Sequence, residues 1–150
     1  MSGQAPRLRP YTAADEEAAI ALWLRTWQQA YPDIDFSARL TWWRERWRNE
    51  LVAQAQIVVA ESAAGMTGFV TIDPATLYLD QIVVAPEAWG SATAEALMAE
   101  ARRLSPKGIE LQVNQDNDRA IRFYRKQGFA ITGEDKNASG RLTYWMKWRP

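Results

Sequence analysis

Neither cysteine nor histidine occurs among the 150 residues. The first absence excludes a disulfide framework and a thiol nucleophile. The second excludes a histidine-based triad, and the two together remove the usual zinc ligands, so no metal is expected. Proton transfer is left to Asp, Glu, Tyr, Lys, a terminus or water. Neither sign of charge is in excess, because 18 Lys and Arg balance 18 Asp and Glu. The electrostatic footprint of a dedicated nucleic-acid binder is missing, and no nucleic-acid partner is expected. No apolar run approaches the roughly 20 residues of a membrane span, and the opening MSGQAPRLRP lacks the apolar segment of a signal peptide. A cytoplasmic chain without a membrane partner is expected. Its length and its 47% apolar, 24% charged composition suit one domain over 1–150.

The patterning predicts alternating blocks of helix and strand. After a short strand around Leu8 to Tyr11, YTAADEEAAIALWLRTWQQAYP reads as an amphipathic helix. Thr12 and Asp15 stand at its start, and Ile20, Trp23, Leu24, Trp27 and Tyr31 follow at helical spacing before Pro32. FSARLTWWRERWRNEL reads as a second helix, with Ser37 as candidate cap and the stripe Leu40, Trp43, Trp47 and Leu51. QIVVAES and GFVTID then flank AAGM as a hairpin, and Asp73-Pro74-Ala75-Thr76 leads into the strand LYLDQIVVAP. A helix over about Thr93 to Leu104, the strand GIELQVN, a helix DNDRAIRFYRKQ closed by Gly128, and strands FAITGED and LTYWMKW complete the chain. The order is β-α-α-β-β-β-α-β-α-β-β.

The run IVVAPEAWGSATAEAL passes from a β-branched strand through a tight turn into a helix. That sequence of elements suits an anion, because the first N–H groups of a helix are unpaired and its dipole favours negative charge there. The turn contains one glycine, Gly90. Thirty residues on, LQVNQDNDRAIRFYRKQGF carries Asn117, Ala120, Phe123, Tyr124, Gly128 and Phe129 at fixed spacing after a strand.

These two segments together resemble the GCN5-related N-acetyltransferase (GNAT) superfamily, whose signature is Asn-x-x-Ala-x-x-Phe-Tyr-x-x-x-Gly-Phe, and the resemblance covers nearly the whole chain. It implies an α/β (α+β) fold: a mixed, mostly antiparallel, splayed sheet of about seven strands with four helices. It further implies acetyl-CoA as cosubstrate and an amine as acceptor, a small molecule ahead of a protein. Pantetheine would pair with the backbone of Ile82, Val83 and Val84 like an added strand. The pyrophosphate would sit at Trp89, Gly90, Ser91, Ala92, Thr93 and Ala94, with Asn117, Ala120, Phe123 and Tyr124 completing the cofactor site. The Val84 N–H, near the bulge of the family's strand, would polarise the thioester carbonyl. Tyr124 takes the general-acid position for the leaving thiolate.

The resemblance does not name a base. Asp80, which alternates along its strand with Tyr78, Ile82 and Val84, is the candidate; Glu110 on the neighbouring strand is a second, and a water chain a third. Each carboxylate also reads as a paired structural group, Tyr124 as a core tyrosine and Asn117 as a helix cap. Trp42, off the main stripe, is a candidate wall for an aromatic acceptor pocket. The arginines and tryptophans of WWRERWR otherwise read as a solvated face over a buried stripe. An exposed terminal strand and many tryptophans suit a homodimer.

The family's loop, Gln/Arg-x-x-Gly-x-Gly/Ala, meets Trp89, Ala92 and Ala94 here, so only the last position agrees. Trp89 leaves one indole N–H where a longer donor stands, Ala92 adds a methyl at a close approach, and Ser91 and Thr93 add hydroxyls. Weaker cofactor binding is expected. The alternative is a degenerate member of the fold that binds acyl-CoA or a protein partner without turnover.

Overall fold

The computed structural model describes residues 6–150; the first half of the stretch read above for a signal peptide, residues 1–5, lies outside the described residues. The strands are β1 (Arg7–Pro10), β2 (Gln56–Ser62), β3 (Gly65–Asp73), β4 (Tyr78–Val84), β5 (Ile109–Asn114), β6 (Ala130–Lys136) and β7 (Leu142–Trp148). The helices are α1 (Glu16–Ala30), α2, which starts as Leu40–Arg46 and runs on through a π turn at Trp47–Leu51 to Val52–Gln54, α3 (Thr93–Leu104) and α4 (Asp118–Lys126). The element order is the one the patterning predicts.

The strands form one sheet in the order β1-β2-β3-β4-β5-β7-β6. Every neighbouring pair is antiparallel except β4 and β5, which run parallel. Alternation along each strand sends residues to two faces, and each face carries its own helix layer. On one face Ile57, Val59, Phe69 and Val83 pack under α1 and α2 with Ala19, Ile20, Trp23, Trp43 and Trp47. On the other, Val58, Val70, Leu79, Val84, Leu111 and Met146 pack under α3 and α4 with Leu97, Met98, Ala101, Ile121 and Tyr124. Gly68 marks a close approach: a methyl there would stand 2.8 Å from the Val83 carbonyl and 3.0 Å from Leu97 Cδ1.

The helix starts are set locally. Asp15 accepts the Thr12 N–H at 2.8 Å and takes the Arg9 guanidinium with both oxygens at 2.8 Å. The hydrogen-bonded Arg9 guanidinium, helped by Thr12 and against the opposing effect of burial, lowers the Asp15 pKa to about 2. Ser37 is not the cap of the second helical segment. Asp35 holds that place, its carboxylate accepting the Ser37 N–H at 3.1 Å, and a 3₁₀ turn at Phe36–Arg39 precedes α2. An aspartate outcompetes the following serine because its charged oxygen is the stronger acceptor. Gly128, at φ 93°, ends α4 as expected, with the Phe129 N–H returning to the Tyr124 carbonyl at 3.0 Å.

The decisive irregularity is in β4. Thr71 pairs with Gln81 and Ile72 with Leu79, which leaves Asp80 as a surplus residue, a β-bulge. The Thr71 side chain stabilises it: Oγ1 accepts the Gln81 N–H at 3.0 Å. The resemblance put the bulge near Val84, four residues further on. Pairing of β4 with β5 is confined to Tyr78 and Glu110, just before the bulge, and the Glu110 N–H reaches the Leu77 carbonyl at 2.8 Å. Beyond it the two strands diverge.

Candidate active site

A cavity of about 630 Å³ opens where β4 and β5 part. One wall is β4 and the turn after it, the opposite wall is β5 and α4, and α1 and α2 close one end with Thr26, Trp27, Ala30 and Arg46. The backbone of β4 faces it in a defined phase. The N–H groups of Gln81 and Ala85 are directed to β3, on Thr71 Oγ1 and on the Thr67 carbonyl at 2.8 Å. By strand alternation Ile82 and Val84 turn their N–H and C=O groups to the open side, whereas the backbone of Val83 points to β3. Of the three residues expected to pair with pantetheine, Ile82 therefore presents both its N–H and its C=O, and Val84 its N–H alone, because the Trp89 indole N–H donates to the Val84 carbonyl. Val83 contributes side-chain packing on the α1 face instead.

Tyr124 lines the cavity, is 8% exposed, and its hydroxyl makes no hydrogen bond to a described residue. Burial raises its pKa above the ordinary tyrosine range, and the nearby Arg119 charge offsets this only in part. The group is thus held as a neutral phenol on the cavity wall. Tyr78 also lines the cavity; burial, then the Asp80 charge, push it up to about 12. Asn117 caps α4 by accepting the Ala120 N–H at 3.3 Å and also lines the cavity, as do Ala120 and Phe123.

Asp80 reaches the cavity but is not free. Arg46 grips both its oxygens, one bond measuring 2.9 Å, and the Gln81 amide adds a third at 3.0 Å. Sequence alternation treats Asp80 as one of a face with Tyr78, Ile82 and Val84; the bulge makes it surplus and turns it toward α2. Glu110 does not line the cavity, and its carboxylate pairs with Lys147 at 3.0 Å and Arg149 at 3.7 Å. Trp42 does not line it either. Adjacent helix positions point about 100° apart, so with Trp43 in the core Trp42 turns outward and is 55% exposed. The end of the cavity under α1 is instead lined by Trp27, and near it Asn114 donates to the Tyr31 hydroxyl at 3.0 Å.

The turn after β4 contradicts two expectations about its donors. The Trp89 indole N–H is taken by the Val84 carbonyl at 2.8 Å. The Ser91 hydroxyl donates to the Ala88 carbonyl and lies 3.0 Å from Thr93 Oγ1, so these hydroxyls stabilise the turn itself. Trp89, Ser91 and Thr93 also direct their backbone N–H groups inward, onto Pro86 O, Ala88 O and Ser91 Oγ. Those of Gly90, Ala92 and Ala94 have no partner among the described residues. Gly90 has φ 80° and needs to be glycine, whereas Ala92, at φ −74°, sits in ordinary helical conformation and is exposed. Ala92 and Thr93 lie outside the cavity lining, and Thr93 is buried against β3. A thioester on a long polar chain ending in phosphates fits these residues: an open strand edge, free N–H groups at the start of α3, and no acidic side chain among the turn residues 88–94.

Sequence reasoning missed Arg46, Tyr78, Thr26 and Arg119 as lining residues. Arg46 had the only readable signal, a cation on the helix facing the strand that carries Asp80.

Residues 16–129 match the family model described as Acetyltransferase (GNAT) family. The chain belongs to this family. Peptidyl-lysine N-acetyltransferase YiaC of Escherichia coli (strain K12) is 30% identical over 145 residues, which cover 94% of this chain and 95% of that protein. Among solved structures, the PaiA N-acetyltransferase of Thermoplasma acidophilum in complex with coenzyme A superposes with a TM-score of 0.79 at 18% identity, covering 98% and 100% of the two chains. The ribosomal-protein-alanine N-acetyltransferase of Brucella melitensis does so with a TM-score of 0.67 at 21% identity, over 96% and 99%. This GNAT protein is an N-acetyltransferase. Among the described residues no helix is long and apolar enough to cross a membrane.

Proposed function

We propose that the protein transfers the acetyl group of acetyl-CoA directly to the side-chain amine of a lysine in a peptide or protein. The observation that carries the mechanism is Tyr124, a buried residue that lines the cavity and whose hydroxyl hydrogen-bonds to no described residue, in the same cavity as Ile82 and Val84 of β4. The amine nitrogen attacks the thioester carbonyl carbon, the C–N bond forms, the C–S bond breaks, and the sulfur takes the Tyr124 proton. The Val84 N–H stabilises the oxygen on which charge develops. Tyr124 regains a proton from the acceptor nitrogen through water. The sequence favours a small amine as acceptor; the peptidyl lysine is preferred here because the E. coli relative that aligns over 94% of this chain carries that name. A cytoplasmic place of action and a homodimer remain part of this reading.

Incubation with acetyl-CoA and a lysine-bearing peptide, read by mass spectrometry, is expected to give acetylated peptide, and none when the lysine is replaced by arginine. Acetylation of a polyamine with no reaction on the peptide would return the acceptor to the small-molecule class. No product with either would overturn the enzymatic reading.

Asp80, committed to Arg46, is read as a positioning group at the acceptor end. Asp80→Asn keeps one acceptor oxygen for Arg46 and Gln81 and replaces the other with an NH2, which loosens the pair without removing the side chain, so kcat should fall by less than about tenfold and the pH–rate profile should keep its shape. A general base is worth about 10²- to 10⁴-fold. A loss of that size, together with the disappearance of the acid limb, would make Asp80 the base.

A further inference from the structure

Cations in this protein mostly have acids beside them. Arg9 pairs with Asp15 and Glu61, Arg46 with Asp80, Arg48 with Glu16, and Arg141 with Asp116. The α4 wall of the cavity differs. Arg119, Arg122 and Lys126, at helical spacing i, i+3 and i+7, all line it, and none makes an ion pair or hydrogen bond with a described residue.

Arg119 is nevertheless held in place. Its Cζ lies 3.7 Å from the centroid of the Trp89 ring. An edge-on guanidinium at that separation would drive a nitrogen into the ring, so the two planes face one another. Trp89 is fixed in turn by its indole N–H on the Val84 carbonyl, 2.8 Å away. A stacked guanidinium uses its face and leaves its N–H groups free around the edge, the geometry that grips phosphate in pairs of bonds. Partial burial works against the Arg119 charge, and no carboxylate offsets it. An anion in the cavity would.

We propose that Trp89 and Arg119 form one phosphate-binding unit, in which the indole face holds the guanidinium so that its free edge takes a phosphate of acetyl-CoA. Arg122 and Lys126 extend the positive wall. The inference rests on acetyl-CoA being the donor. It gives Trp89 a role as platform, where the sequence suggests only a poor substitute donor, and it places the missing donor on a different element, α4.

The test is a titration calorimetry series on the intact protein. Arg119→Gln should weaken acetyl-CoA about tenfold or more, the loss of charged hydrogen bonds. Trp89→Leu should weaken it to a similar degree, Trp89→Phe, which keeps a ring, by less, and Trp89→Leu with Arg119→Gln by no more than either alone. S-acetylpantetheine, which has the same thioester but no phosphate, should be bound no better by the parent protein than by Arg119→Gln. Unchanged acetyl-CoA affinity in Arg119→Gln, additive losses in the double variant, or an equal loss for S-acetylpantetheine would each overturn the unit. Failure of the parent protein to bind acetyl-CoA at all would instead overturn the donor reading beneath it.

Discussion

Tyr124→Phe is expected to lower kcat by roughly 10²- to 10⁴-fold, the usual range for a general acid, while acetyl-CoA affinity stays within a few-fold. The substitution removes one oxygen that makes no hydrogen bond to a described residue, so it leaves no orphaned partner and the fold has little to lose. The expected split between turnover and affinity follows from where the hydroxyl is needed: only as the C–S bond breaks does the sulfur require a proton. The direction of the pKa shift adds a second reading. Burial disfavours the phenolate, so the folded value lies above the ordinary value of about 10, and Tyr124 stays protonated throughout the neutral and mildly alkaline range. Steady-state rates of the parent protein should therefore show no alkaline fall traceable to Tyr124 below about pH 10. A fall near pH 8 that vanishes in Tyr124→Phe, or turnover unchanged by the substitution, would remove Tyr124 from the acid role.

The largest effect on stability is expected from Trp47→Ala, about 3–5 kcal/mol. Trp47 is fully buried, sits edge-on to Phe69 of β3 and to Tyr11 at ring separations of 5.2 and 5.5 Å, and donates its indole N–H to the Tyr11 hydroxyl at 3.0 Å. Its removal leaves a void between α2 and the sheet and strands the Tyr11 hydroxyl. Against a total of about 5–15 kcal/mol for a domain, that is a large share, and thermal unfolding should shift down by on the order of 10 °C. Trp47→Phe should cost less, since most of the apolar area returns. Denaturant midpoints for the three proteins check this; a loss below about 1 kcal/mol for Trp47→Ala would mean the α2 layer adds little to the fold. Such a result would also weaken the argument that α2 holds Arg46 against Asp80.

Element order was legible because it rests on local signals: Pro32 and Gly128 as stops, period-two runs in β2 and β3, and the fixed spacing from Asn117 to Phe129. The resemblance to the GNAT superfamily, not these local signals, brought Tyr124, Asn117 and the turn at Gly90 together as one site, and all three line the cavity. What escaped depends on partners distant in sequence. Asp80 becomes a surplus residue because Thr71, on the adjacent strand, offers a hydroxyl to the Gln81 N–H. Arg46 belongs to the cavity because of that displacement, not because of its place in WWRERWR. Trp43 is buried as its place on the apolar stripe predicts; what escaped is that Trp42, off the stripe, faces solvent and not the cavity. Arg119 is invisible as a ligand in one dimension, since the ring that orients it lies thirty residues earlier on another element.

The surplus residue in β4 also says how the slot between the strands is kept. A parallel pair that starts to zip at Tyr78 and Glu110 would, left regular, go on closing to the ends of both strands and bury the very edge a ligand must use. One inserted position stops the zipper after its first tooth. The opening is thus set in the backbone of β4, at the surplus residue, rather than by bulky side chains alone. Specificity can then reside in the lining while the opening resides in the register of β4.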